Sequence, residues 1–236
     1  MYKMIIVDLD GTLLNDAKEA SKENIKAIKR AYEEKGVISV IATGRPLEFA
    51  NDICNIYGNC FGNYIIACNG AIIKDIEKDE YIQKITFTND EILNFRSMYI
   101  EENADYMILA TEKRQLVETR NSEGLNNAGV SIVEKKTEVN NIAEELRENR
   151  NGANLACLIG GENSIIEKIA SKINKMEDIE KAVISNYLYK NGESIFQSKY
   201  IDILKKGCNK KNGIEILAQK LGIRQEEIIV IGDRRK

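Results

Sequence analysis

Apolar residues in this chain fall into two textures, uninterrupted runs and runs spaced by three or four. Met4-Ile5-Ile6-Val7 is the first uninterrupted run, and it ends abruptly at Asp8. A short apolar run bounded by a turn signal predicts a strand buried on both faces, as in parallel sheets. From Ser21 to Lys35 the apolar positions are Ile25, Ile28 and Ala31-Tyr32, the spacing of one helix face. Ser21 is placed to cap that helix and Gly36 to stop it. Val37-Ile38-Ser39-Val40-Ile41-Ala42 predicts a second strand, Leu47 to Tyr57 a helix, and Tyr64-Ile65-Ile66-Ala67-Cys68 a third strand. Asn69-Gly70 is a turn signal, and Ala71-Ile72-Ile73 running into an acidic turn completes a hairpin pattern. Strand-helix-strand units imply parallel pairs with right-handed crossovers, so the strand ends meet at one pocket.

From about Ile82 the pattern changes. Thr88 to Asn103 reads as an amphipathic helix, followed by short strands at Tyr106–Ala110 and Leu116–Arg120. Leu155–Ile159, a helix from Ser164 to Met176, and Lys181–Tyr189 come next, ending near Asn191-Gly192. Tyr200–Leu204 then reads as a strand returning to the first sheet, followed by a helix ending at Leu221-Gly222 and the apolar run Ile228–Ile231. The fold class is therefore α/β, a parallel-sheet core with an inserted α+β domain. The expected boundaries are 1–82 and 192–236 for the core and 83–191 for the insertion.

Composition removes several function classes. The 236 residues are 43% hydrophobic and 30% charged, with 34 basic and 37 acidic residues giving a net charge of −3. That balance offers no polyanion-binding surface, so no nucleic-acid partner is expected. No apolar stretch approaches the ~20 residues of a membrane span. The N-terminus enters a strand without a signal-peptide pattern, which predicts a cytoplasmic protein. The five cysteines (Cys54, Cys60, Cys68, Cys157, Cys208) form no C-x-x-C pair and there is no histidine, so a structural zinc is not expected. Imidazole-based triads are removed too. Catalysis would have to run on carboxylates, hydroxyls, lysine and a metal.

The candidate chemistry begins where the first strand ends, in Asp8-Leu9-Asp10-Gly11-Thr12-Leu13-Leu14. Two carboxylates one residue apart repel unless a cation or a shared proton relieves them. The competing reading is an ordinary Asp-Gly turn. The full string resembles the opening motif of the haloacid dehalogenase superfamily of phosphatases and phosphotransferases. Later segments narrow the likeness to the Cof-type sugar-phosphate phosphatases. The resemblance implies a Rossmann-like core and a cap domain that closes as a lid over the site. It makes Asp8 the nucleophile that forms an aspartyl-phosphate and Asp10 the acid/base, with Mg²⁺ and cationic side chains neutralising the phosphate.

Further positions follow from the same resemblance. Thr43 matches the second motif, a hydroxyl that contacts the phosphoryl group; the competing reading is the N-cap of the helix from Leu47. Gly44 offers a backbone N–H to an anion, and Arg45 is expected to position substrate. Asn69 is a candidate substrate or phosphate contact. Lys210 aligns with the third-motif lysine, against the alternative of a solvated basic helix start; Lys205, Lys206 and Lys211 are read as solvated. Asp233 resembles the first acid of the fourth motif, giving a metal set of Asp8, Asp10 through its carbonyl, and Asp233. The motif's Asn-Asp pair does not follow, since the text runs Gly232-Asp233-Arg234-Arg235-Lys236. Weaker activity is the expected consequence, together with self-association through an exposed sheet edge. The implied function is Mg²⁺-dependent hydrolysis of small phosphomonoesters such as sugar phosphates, the partner being a small phosphorylated metabolite. The alternatives are a phosphotransferase of the phosphomannomutase type and an impaired phospho-ligand-binding protein.

Overall fold

The computed structural model describes residues 1–15, 17–58, 64–127, 136–148, 150–190 and 193–232. The chain divides into two compact units, Met1–Ile85 with the chain from Cys208 onward, and Thr86–Gly207. No described helix is long and apolar enough to cross a membrane.

The first unit opens with β1 (Met4–Val7), α1 (Lys22–Lys35) and β2 (Ile38–Ala42). The Ser21 side chain accepts from the Asn24 amide at the start of α1, and Gly36 ends the helix with a φ of 63°. α2 (Leu47–Tyr57), β3 (Tyr64–Ala67), a 3₁₀ turn at Cys68–Gly70, β4 (Ile72–Asp75) and β5 (Glu80–Lys84) follow. β3 and β4 pair antiparallel from Tyr64↔Asp75 to Ala67↔Ile72, so the Asn-Gly signal does mark a hairpin.

The second unit contains α3 (Asn89–Glu101), β6 (Tyr106–Thr111), β7 (Gln115–Thr119), α4 (Ser122–Asn127), β8 (Lys136–Glu138) and α5 (Ile142–Arg147). It continues with β9 (Asn154–Gly161), α6 (Asn163–Ile173), β10 (Ile179–Lys190) and β11 (Glu193–Lys205). The six strands form one sheet in the order β10-β11-β9-β6-β7-β8. Its pairs are antiparallel except β7 with β8. Met107, Leu109, Leu116, Cys157, Ile159, Ile201 and Ile203 pack with helix residues such as Phe95, Ile142 and Ile169 in one buried cluster. The intervening residues Ile108, Val117, Leu158 and Tyr200 form a second cluster with Leu125. Inside this unit the buried Glu118 accepts two 2.7 Å bonds from Arg96 and a 2.8 Å bond from the Ile142 amide at the start of α5.

Two sequence expectations are corrected here. Tyr200–Leu204 does not return to the parallel sheet; it lies in β11, paired antiparallel with β9 and β10. The second unit therefore runs to Gly207 rather than to residue 191. An apolar pentapeptide carries no mark of which sheet will take it, and here the alternate residues Ile201 and Ile203 are buried among the helices of the second unit.

The chain re-enters the first unit with α7 (Lys210–Leu221) and β12 (Ile228–Ile231). The first sheet has the order β12-β1-β2-β3-β4-β5, and β12, β1, β2 and β3 are mutually parallel. Met4, Ile6, Val40, Ala42, Ile66 and Ile73 form one core cluster with Leu217 and Ala218 of α7. α7 comes close because of two glycines. A Cβ on Gly213 would stand 2.9 Å from Ile66 Cγ2, and one on Gly70 would stand 2.5 Å from the Asn209 carbonyl oxygen. Gly70 also has a φ of 99°, which other residues adopt only under strain.

The opposite, N-terminal ends of β1 and β12 are fastened by Glu227. Its carboxylate accepts from Lys3 Nζ at 2.8 Å and from the Arg224 amide at 3.0 Å, while its carbonyl accepts from the Lys3 amide at 2.8 Å. Lys3 first, then Arg224, pull the Glu227 carboxyl down to a pKa of about 2.

Two predictions follow. Gly70→Ala should destabilise the protein by about 1–3 kcal/mol through strain and the contact with Asn209; an unchanged denaturation midpoint would contradict the close approach of α7. For Glu227 the folded pKa lies below the unfolded value, so its contribution is complete above about pH 4 and is lost as the pH falls toward the folded value. Glu227→Gln should therefore melt below wild type at neutral pH, with the gap closing between about pH 4 and pH 2; a gap that widens on acidification would reverse the assignment.

Candidate active site

The C-terminal tip of β1 carries Asp8. Its amide donates to the Ile231 carbonyl at 3.0 Å, continuing the parallel ladder with β12 one residue past β1. A Cβ added at Gly232 would stand 3.8 Å from Asp8 Cβ, so the chain passes directly beside Asp8 as β12 ends. Asp8 Oδ1 accepts from the Leu9 amide at 2.8 Å, and Asp8 Oδ2 accepts from Lys210 Nζ at 2.6 Å. Lys210 is the first residue of α7, whose start is fixed by the Asn209 side chain accepting from the Asn212 amide at 2.8 Å. The sequence separation of 202 between Asp8 and Lys210 is bridged by packing α7 onto β3 and the turn that follows it.

Asp10 lies two residues on, beyond the strand, where Gly11 takes a φ of 68° and the amide of Leu14 turns back to the Leu9 carbonyl at 2.9 Å. Arg45 holds both of its carboxylate oxygens, Nε to Oδ2 at 2.7 Å and an outer guanidinium nitrogen to Oδ1 at 2.6 Å. Such fork-to-carboxylate bonds fix orientation as well as charge. The guanidinium is only 6% exposed and stacks 3.8 Å from the centroid of Phe49 on α2. Lys18 Nζ reaches Oδ1 from the open side at 3.1 Å. Partial burial alone would raise the Asp10 pKa; the hydrogen bonds and charge of Arg45, then those of Lys18, outweigh it and hold the carboxyl below its usual range.

Thr43 and Asn69 sit on two loops laced together at the tips of β2 and β3. The Asn69 amide donates to the Thr43 carbonyl at 3.1 Å, and the Cys68 amide to the Arg45 carbonyl at 2.9 Å. Asn69 is left-handed with a φ of 53°, a conformation that Asn tolerates better than most residues. Gly44 gives room for it, since a Cβ there would stand 3.0 Å from Asn69 Oδ1. The buried Thr43 hydroxyl accepts from the Arg45 amide at 3.1 Å. The N-cap of α2 is Pro46, so Thr43 does not cap that helix.

Asp8, Asp10, Thr43, Gly44, Arg45, Asn69 and Lys210 are thus all carried by one end of the first unit's sheet. The guanidinium of Arg45, expected to position substrate, forks onto the Asp10 carboxylate. Lys205 pairs instead with Glu91 within the second unit, Lys206 donates its amide to the Asp178 carbonyl, and Lys211 is exposed beside Glu215. Asp233 lies outside the described residues. Among the described residues no three acidic, histidine or cysteine side chains gather as a metal cluster. Sequence reasoning missed Lys18, whose neighbours Ala17 and Glu19 give no motif to mark it.

The chain is similar to known proteins. YxeH of Bacillus subtilis, named as a candidate phosphatase, is 27% identical over 241 residues, covering 99% of this chain and 81% of its own. The B. subtilis 5-amino-6-(5-phospho-D-ribitylamino)uracil phosphatase YcsE is 39% identical over 87 residues, 37% of this chain and 34% of its own. A haloacid dehalogenase-like hydrolase from Bacteroides thetaiotaomicron has the same fold, with a TM-score of 0.77 at 22% identity, over 99% of this chain and 82% of its own. The family model for haloacid dehalogenase-like hydrolases matches residues 5–236. Strand order, paired acids and family match agree: the chain belongs to the haloacid dehalogenase-like hydrolase family.

Proposed function

We propose that this chain is a phosphatase that hydrolyses small phosphomonoesters, sugar phosphates or related metabolites, through an aspartyl-phosphate on Asp8. The observation that carries the reading is the 2.6 Å pair between Lys210 and Asp8. An ammonium beside the nucleophile lessens the repulsion that an incoming phosphate dianion meets, and a compact point charge suits phosphate. The named activity of YcsE, on a phosphorylated ribitylamino compound, supports the substrate class.

In the first step an Asp8 oxygen bonds to phosphorus, the bond from phosphorus to the ester oxygen breaks, and Asp10 gives a proton to the departing alcohol. In the second step water attacks the phosphorus of the aspartyl-phosphate, Asp10 takes its proton, and Asp8 is released with inorganic phosphate. The low resting pKa of Asp10 suits the second step. For the first step a proton must be held there, and a phosphate dianion arriving beside the carboxylate raises its pKa. Thr43, the Gly44 amide and Asn69 serve as phosphate or substrate contacts, and Arg45 orients Asp10. The second unit is proposed as the lid that the family resemblance implies.

The donor set fits a magnesium ion that keeps several waters. With the Asp10 carboxylate engaged by Arg45 and Lys18, Asp8, the Asp10 main-chain carbonyl and Asp233 would hold it, all of them hard oxygen donors. Such an ion supplies positive charge to the phosphoryl oxygens.

Phosphate release from a panel of phosphorylated metabolites, with and without Mg²⁺, tests the reading. Asp8→Asn should bring release to background, and Lys210→Met should lower it on the order of 100-fold. Equal release by wild type and Asp8→Asn would remove Asp8 from its role.

A further inference from the structure

Among the described residues, Lys18 is the one cation at the Asp10 carboxylate whose hold is single and open to solvent. Arg45 makes two bonds of 2.7 and 2.6 Å from a buried site, whereas Lys18 makes one at 3.1 Å, and both Lys18 and Asp10 are about a third or more exposed, at 32% and 41%. A pair of that kind is weak and exchanges readily for a stronger partner. The backbone of Lys18 is also unusual. Its φ of 62° lies in the left-handed region, where glycine or asparagine is the ordinary choice. The turn that imposes it is well fastened: the Lys18 amide donates to the Asn15 carbonyl at 2.9 Å, the Asn15 amide to the Glu19 carbonyl at 2.9 Å, and the Glu19 amide to Asn15 Oδ1 at 3.0 Å. The Ala20 amide then anchors the loop to the Tyr57 hydroxyl at 3.0 Å. A lysine held in a costly conformation, with its ammonium on a candidate acid/base, is an outlier that calls for a functional reason.

We propose that Lys18 is a substrate-binding residue that exchanges partners. At rest its ammonium covers the open side of Asp10; when a phosphomonoester enters, it moves to the anionic oxygens of the substrate and leaves Asp10 free to reach the ester oxygen. A phosphate dianion outcompetes a carboxylate already neutralised by Arg45, and the lysine stem has the freedom to follow it. No bond is made or broken in this exchange. The inference rests on the phosphatase reading above.

The test uses the full chain with Mg²⁺ and para-nitrophenyl phosphate, with inorganic phosphate as a competing ligand. Lys18→Gly removes the ammonium and relieves the left-handed strain together, so it should melt at or above the wild-type temperature. It should nevertheless raise KM and the inhibition constant of inorganic phosphate about tenfold, the size of one lost contact between charged groups. Lys18→Arg should restore most of the affinity, and Lys18→Met should match the glycine variant. A merely structural lysine predicts the opposite pattern, a changed melting temperature with unchanged KM and phosphate inhibition, and that result would overturn the inference alone. Wild-type protein that turns over no better than Asp8→Asn would instead remove the phosphatase reading, and this inference with it.

Discussion

Two carboxylates one residue apart at a strand tip repel each other, and their own neighbourhood of sequence offers only the single, exposed bond from Lys18 to Asp10. The firmer relief comes from elsewhere in the chain, and separately for each acid. Asp8 meets an ammonium 202 residues away at the start of α7, and Asp10 meets a guanidinium 35 residues away in the loop after β2. Both cations arrive only once β1 lies between β2 and β12 with α7 packed on the sheet. The site is therefore a product of the whole first unit. A local turn with the same residues would leave the two charges facing each other.

That dependence explains which parts were legible in the sequence. The apolar runs gave β1, β2, β3 and β12, and the caps Ser21 and Gly36 gave the ends of α1, because these signals act within a few residues. Asp8 stood out as an acid at a strand tip, whereas Thr43, Asn69 and Lys210 were marked by the family resemblance. Partner choice was not written locally. Tyr200–Leu204 reads as a buried strand for either sheet, and only the antiparallel register with β9 and β10 settles that it belongs to the second. The periodicity was also masked there, since β6 is buried along its whole length between two apolar clusters. An antiparallel strand covered on both faces carries the same continuous pattern as a parallel one.

Side-chain commitments were the least legible. Arg45 stands beside a predicted phosphate loop, which invites a substrate role, and nothing in the sequence shows its stacking on Phe49 or its fork on Asp10. Lys18 has no motif at all. Its place is set by a left-handed backbone that composition does not announce, because lysine is not a residue chosen for that conformation.

The two ends of the same strand pair show how one type of contact serves different ends. At the N-terminal end Glu227 is buried, with Lys3 and Arg224 together covering its carboxylate, and its charge is locked into fastening β12 to β1. At the C-terminal end Asp10 is likewise met by an arginine and a lysine, but its own side chain stays 41% exposed against 8% for Glu227. A carboxylate closed on every side contributes stability and nothing to chemistry. One held firmly on a single side, with a weaker partner on the other, keeps its orientation while remaining open to a ligand. Burial of the acid itself, rather than the number or burial of its cations, separates the fastening carboxylate from the open one.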